Sequence, residues 1–319
     1  MRLTKLSILA ATVALCSGMA HAETRKVAVA LFGPHPSLQQ TVDGFKEQLA
    51  KEGVEAAYDE ANVNFDRSLV PQMLNRLNAG DPDLMITITT PMTQSAKQIL
   101  AARDYPIVFA PVTDPVKAGI VGSWDGGEAL LAGVSNIPDF GATLDFMDEL
   151  LPTFKRLGVL YNPGDDSDTS FVERLETATA DRGVELVKIG VDNVNDIAQR
   201  VRSADGRVDA LFVPASSLLQ PATAAIASAS NPIGLPVFGS NTQSVDSHQF
   251  LAALSVDFYR VGVNAGRIAA MLLAGTKAES IPVSVPSPED HVARISAQRL
   301  QALNMELPES LKDCGCVAE

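Results

Sequence analysis

Short apolar blocks alternate with amphipathic stretches along most of the chain. Residues 26–32 (KVAVALF) form a buried-strand run, and Gly33-Pro34-His35-Pro36-Ser37 is the turn after it. Leu38, Val42, Phe45 and Leu49 then repeat at helical spacing as far as Gly53. Residues 54–58 read as a strand. Residues 64–77 read as a helix with Leu69, Met73, Leu74 and Leu77 on one face, and 84–88 as a third strand. That strand ends in Thr89-Thr90-Pro91. Thr90 is the expected cap and Pro91 the expected first residue of a helix to about residue 102. The block Pro106-Ile107-Val108-Phe109-Ala110 suits a strand buried on both faces, and Thr113-Asp114-Pro115 is the turn after it. Residues 119–128 are glycine-rich without periodicity, and 132–136 read as an extended crossing.

The pattern then restarts. Helices are expected at 142–151, 169–182, 194–204 and 220–229, with strands at 156–161, 184–189, 210–213, 236–238 and 250–256. Asp257 is the expected cap of a long helix, 258–273, with Val261, Ala265, Ile268 and Leu272 on one face. A strand at 281–285 and a short helix at 296–303 follow. Strand–helix alternation with short connections implies parallel, doubly wound sheets. The expected fold is α/β, with two Rossmann-like lobes of parallel sheet joined by a hinge.

Ligands of open α/β sheets sit beyond the carboxyl ends of the strands. Here those ends carry polar turns, expected to face one another across a cleft. The candidate ligand-binding residues are Phe32, His35, Ser37, Thr89, Thr90, Thr113, Asp114, Asn162, Ser216, Ser240, Asn241 and Asp257. Hydroxyls and amides at helix starts hold carboxylates or phosphates, although capping is the competing role for each threonine. His35 either packs against its prolines or projects into the cleft. Asp114 either binds a cation or locks its turn, and Asp257 is equally a helix cap. Phe32, Tyr161, Phe238 and Phe258 lie near the expected cleft edge, as core residues or as platforms for a planar ligand.

Composition narrows the function. The 319 residues are 46% hydrophobic and 20% charged, enough for two packed domains. The net charge of −13 argues against nucleic acid as a partner. Residues 1–22 read as a cleaved signal peptide: basic Arg2 and Lys5, an apolar run, then Ala20-His21-Ala22. A lipid anchor at Cys16 is disfavoured because Leu15 precedes it, so a soluble periplasmic protein is expected. Cys314 and Cys316 read as thiols of an exposed tail, with a local disulfide or a soft-metal site as alternatives.

No His-x-x-x-His pair, G-x-S-x-G elbow, Walker loop or G-x-G-x-x-G motif occurs, so neither an enzyme nor a cofactor or metal site is expected. Asp165-Asp166 reads as a solvated helix start. A polar cleft without a catalytic constellation suits a binding protein.

The motifs carry a family likeness. They are His35-Pro36-Ser37-Leu38 with Gly44-Phe45, Thr90-Pro91, Pro106-Ile107-Val108-Phe109 leading to Thr113-Asp114-Pro115-Val116, and Gly158-Val159-Leu160-Tyr161-Asn162-Pro163. Val208-Asp209-Ala210 with Val213-Pro214, Pro236-Val237-Phe238, Leu251-Ala252-Ala253-Leu254 and Asp257-Phe258-Tyr259-Arg260-Val261-Gly262 complete the set. In this order the chain resembles the periplasmic substrate-binding components of ABC importers, in the tryptophan- and tyrosine-type group. The resemblance implies a type I periplasmic-binding-protein fold, a small organic ligand (amino-acid-like, or an aromatic or carboxylate solute), hinge closure and a monomer that docks on an inner-membrane ABC permease. It also implies a first lobe of 23–133 with 257–282 and a second of 134–256 with 283–319. A ligand-sensing subunit for a membrane receptor is the alternative. The chain departs from the family in Ser216-Ser217-Leu218, where an acidic run is usual, and in Ser240-Asn241-Thr242-Gln243. An ammonium group needs a buried partner, so the expectation is a ligand less cationic than an amino acid, or one whose amine meets the first lobe.

Overall fold

A computed structural model describes residues 24–319; the signal-peptide assignment lies outside the described residues. The first lobe comprises β1 (Arg25–Leu31), α1 (Pro36–Lys51), β2 (Ala56–Asn62), α2 (Val70–Asn78), β3 (Leu84–Ile88), α3 (Thr90–Ile99), β4 (Ile107–Val112) and β5 (Leu131–Ser135). Its sheet is parallel, in the order β2-β1-β3-β4-β5. The alternation in β1 explains the two layers around it. Val27, Val29 and Leu31 pack with Val42, Phe45 and Leu49 of α1, while Ala28 and Ala30 face Met73, Leu74 and Leu77 of α2. Complete burial of a side chain such as Phe45 stabilises by roughly 1.5–3 kcal/mol.

The second lobe adds α4 (Phe140–Leu150), β6 (Arg156–Tyr161), α5 (Asp166–Ala180), β7 (Glu185–Gly190), α6 (Ile197–Arg202), β8 (Ala210–Val213), α7 (Thr223–Ser230), β9 (Val237–Gly239), the short α8 (Gln243–Asp246) and β10 (Ala252–Val256). Then α9 (Phe258–Leu273) returns to the first lobe, where Val261, Ala265 and Ile268 join the α1 side of its core. The Asp257 carboxylate caps α9, accepting the amides of Tyr259 and Arg260. The contact of α9 with α1 is close because both helices carry glycine there. A Cβ on Gly262 would stand 2.1 Å from the Thr41 carbonyl oxygen, and one on Gly44 2.2 Å from that of Tyr259.

The chain finishes with β11 (His291–Ser296), α10 (Ala297–Ala302) and β12 (Val317–Ala318) on the second sheet, ordered β12-β11-β10-β9-β8-β6-β7. The fold is the expected pair of α/β lobes, with differences at the edges. β11 pairs antiparallel with β10 and, like β12, was not anticipated; it lies near the sheet edge, half-buried and without a continuous apolar run. Residues 281–285 form no strand, only a single bridge from Ser284 to Val134. Residues 132–136 are mostly β5, the edge of the first sheet, so first-sheet pairing reaches Ser135 and Ser284. The second helix starts at Val70 rather than 64, because Asn64 and Phe65 take left-handed φ values of 49° and 64°. α3 begins at Thr90, which leaves Thr89 at the cap position. Cys314 and Cys316 form a disulfide, the local pairing named as an alternative; Cys314 is exposed, while Cys316 is buried against the second core.

Three segments cross between the lobes, after β5, between β10 and α9, and before β11. They are tied together: the Asp139 amide donates to His291 Nε2 at 3.1 Å, and the Asp257 amide to the Asp290 carbonyl at 2.7 Å.

Candidate functional site

The strand ends of both lobes meet across a cavity of two joined chambers. The outer chamber, partly open to solvent, lies between His35, Ser37, Thr89, Thr90 and Thr113 of the first lobe and Ser167, Ser216 and Ser217 of the second, with Phe65 and Phe258 as aromatic walls. The inner chamber shares Thr113, Asn136, Ser167, Ala215 and Phe258 and continues to Asp168, Phe171, Phe212 and Ser240.

Thr89 is the most unusual residue of the first-lobe wall. Its backbone has φ 94° and ψ 155°, a conformation that a β-branched side chain rarely adopts. Its carbonyl accepts the Thr93 amide at 3.0 Å and the Thr93 hydroxyl at 2.9 Å, which holds the start of α3. Its own hydroxyl is buried without a hydrogen-bond partner. A buried hydroxyl left unpaired costs about 1–3 kcal/mol, and here it sits beside Thr90 at a helix N-terminus, where anions are favoured. His35 caps α1, its Nδ1 accepting the Ser37 amide at 3.3 Å. Burial lowers its pKa, so the ring is neutral at pH 7 and carries its proton on Nε2, as a donor.

Asp168 dominates the second-lobe wall. It lies in the first turn of α5, is 1% exposed, and accepts the Asn162 amide through Oδ2 at 2.7 Å. Burial, and then the neighbouring Asp165 charge, push its carboxyl up to about 7, against the opposing effects of the Asn162 amide, the Ser216 hydroxyl and the Arg67 charge.

The lobes are closed on each other along the rim. Arg67 bonds Asp165 at 3.0 Å, Gln94 bonds Asp166 at 2.7 Å, and Arg174 and Ser170 bond Asp114 at 2.8 and 3.1 Å. Lys117 pairs with Glu173, and Ser37 donates to Gln243 at 3.1 Å.

Of the candidate residues, the cavity gathers His35, Ser37, Thr89, Thr90, Thr113, Ser216 and Ser240. Phe32 lies in the core behind it, edge-on to Phe65 at 5.9 Å, and Phe65 forms the wall. Asp114 is engaged by the rim contacts and by the Lys117 amide. The Asn162 side chain accepts the Gly164 amide within its own turn. Asn241 bonds Gln220, which lines the outer chamber, and the Ser244 amide. Asp257 caps α9 and borders a separate groove with Gln40 and Gln243.

The sequence reading missed Phe65, Asn136, Gln220 and Asp168. Asp165 and Asp168 stand at the three-residue spacing of a capping box, which signals a helix start but not burial. Of the pair read as a solvated helix start, Asp165 is only 4% exposed, whereas Asp166 is exposed.

A cavity built from strand-end turns and shut between two hinged α/β lobes defines a bilobal solute-binding protein. The chain belongs to the ABC transporter substrate binding protein family, whose sequence model matches residues 26–314. It is 28% identical over 286 residues to the tyrosine-binding protein of Clostridioides difficile (strain R20291), spanning 88% of this chain and 81% of that one. The fold is similar to the ABC domain from Streptococcus pneumonia in complex with L-Trp, with a TM-score of 0.85 and 29% identity over 92% of this chain and all of that one. The ligand-free, open structure of a substrate-binding protein with adhesive properties from Clostridium difficile superposes less well, with a TM-score of 0.70 and 25% identity over 90% of this chain and 97% of that one. The closed rim agrees with that order. Substrate-binding proteins of ABC importers work outside the cytoplasmic membrane. Among the described residues, no helix is long and apolar enough to cross a membrane.

Proposed function

We propose that the protein captures a small aromatic solute bearing a carboxylate, of the L-tryptophan or L-tyrosine kind, and delivers it to an inner-membrane ABC permease. It does so as a periplasmic monomer released by cleavage after residue 22, without catalysis. The observation that carries this reading is Thr89 at the start of α3, which lines a cavity with phenylalanine walls and has a buried hydroxyl without a partner. A carboxylate there gains the Thr89 and Thr90 hydroxyls and the helix terminus, and the His35 Nε2–H is a further donor. The rings Phe65, Phe258, Phe171 and Phe212 suit a flat apolar body. The relatives that bind tyrosine and L-Trp support the same ligand size.

Native mass spectrometry and calorimetry with L-tryptophan and L-tyrosine test the reading. The expected result is one ligand per chain, with about 2.7 kcal/mol of stabilisation at a concentration 100 times the dissociation constant. Indifference to both, with binding of a neutral sugar instead, overturns it.

A further inference from the structure

We propose that the Asp168 carboxylate is the second-lobe partner of a cationic nitrogen on the bound solute and makes the inner chamber select amines over their deaminated counterparts. This rests on the reading of the cleft as an aromatic-solute site. It is the opposite of the sequence expectation of a less cationic ligand.

Among the residues lining the two chambers, Asp168 is the only acid. The other carboxylates near the cleft are already engaged. Asp165 holds Arg67 and the Ser167 amide, Asp166 holds Gln94, Asp114 holds Arg174, and Asp257 holds the first turn of α9. Asp168 takes part in no ion pair with a described lysine, arginine or histidine. The Arg67 charge acts on it from the first lobe, but the Arg67 guanidinium is bonded to Asp165. Its remaining neighbours are the Asn162 amide at the end of β6 and the Ser216 hydroxyl after β8.

A buried carboxylate without a counter-ion takes up a proton instead of staying charged, which agrees with its carboxyl being pushed up to about 7. A cationic nitrogen in the chamber reverses this: Asp168 ionises, its proton leaves to solvent, and the ion pair is completed. The rings of Phe171, Phe212 and Phe258 line the same chamber and exclude water from the pair, which strengthens it.

The test is titration calorimetry at pH 7 with L-tryptophan, L-tyrosine, indole-3-propionate and 3-(4-hydroxyphenyl)propionate, in two buffers of different ionisation enthalpy. The expected result is amines bound at least about tenfold more tightly than the acids, with buffer-dependent heat that reports proton release. Asp168→Asn should erase both effects while still binding the acids. If that variant does not fold, buffer dependence in the unmodified protein and the same titrations on Asp168→Ser decide. Equal affinity for amines and acids, or a preference that survives in Asp168→Asn, overturns the proposal and leaves the aromatic-solute reading in place. Silence from all four probes overturns that reading, and the proposal with it.

Discussion

Asp114 of the first lobe and Arg174 of the second hold each other across the cleft rim at 2.8 Å, with the aspartate buried and the arginine half exposed over the Trp124 ring. Burial alone would raise the Asp114 carboxyl. The Lys117 amide, the Arg174 guanidinium and the Ser170 hydroxyl outweigh it and hold the pKa below the usual value. Two of these three groups come from the opposite lobe, so the arrangement exists only when the cleft is shut.

Arg174→Ala should therefore favour the open form. The loss of one charge-assisted bond to a buried carboxylate is about 1–2 kcal/mol, which weakens ligand binding five- to thirty-fold. Small-angle scattering should show a larger radius of gyration for the variant without ligand. Because the Asp114 pKa is depressed, its contribution to closure is present at neutral pH and is lost as pH falls through the folded pKa, below 3.8. An unchanged affinity would show that the rim pair is dispensable.

Asp168 has the opposite sign. Its native carboxyl holds a proton between the ordinary value of 3.8 and about 7, where the unfolded chain has released it. The native state thus binds more protons across that window, and its stability falls as pH rises through it. Without ligand, Asp168→Asn should be more stable than the parent at pH 8, on the order of 4 kcal/mol, and nearly equal to it at pH 4. Denaturant midpoints at the two pH values measure this, and a difference independent of pH would contradict it.

Thr89 combines a strained backbone with an unpaired hydroxyl, and both relax on replacement by glycine. Thr89→Gly should stabilise the ligand-free protein by roughly 1 kcal/mol while weakening carboxylate ligands about tenfold. Thermal melting with and without L-tryptophan reads both effects. Destabilisation of the free protein would show that the side chain holds the turn.

Gly262 and Gly44 set the separation of α9 and α1. Gly262→Ala places a methyl group against the Thr41 carbonyl and should destabilise by about 3 kcal/mol, with a lower midpoint in urea. A neutral result would mean that the helices can slide apart.

Local pattern made most of the scaffold legible before any contact was known. Residues 26–32 and 84–88 read as strands because apolar runs bounded by turns have few other uses, and Asp257 read as a cap because an acid before a long amphipathic stretch satisfies its first amides. The polar strand ends Thr89, Thr90, Thr113 and Ser216 were legible for the same reason: turns that stop buried strands lie on one side of the sheet. The errors fell where a residue's role depends on distant partners. β11 gains its partner only by returning to β10. Phe65 displaces Phe32 from the wall because two residues with left-handed backbone re-aim the chain.

The sequence alone therefore determined the two α/β lobes and the sides of the sheets that face each other. Hydrophobic periodicity is a local property, and it dictates which elements form and which of their faces is buried. Only the tertiary structure decided which polar groups are left free inside the cleft. Asp114, Asp165, Asp168 and Asp257 all follow strands and look alike in the sequence. Three of them are bonded to arginine or to helix amides, and Asp168 is buried facing the cavity with no cation paired to it. Burial and pairing depend on groups brought together from both lobes, so they appear only once the chain is folded.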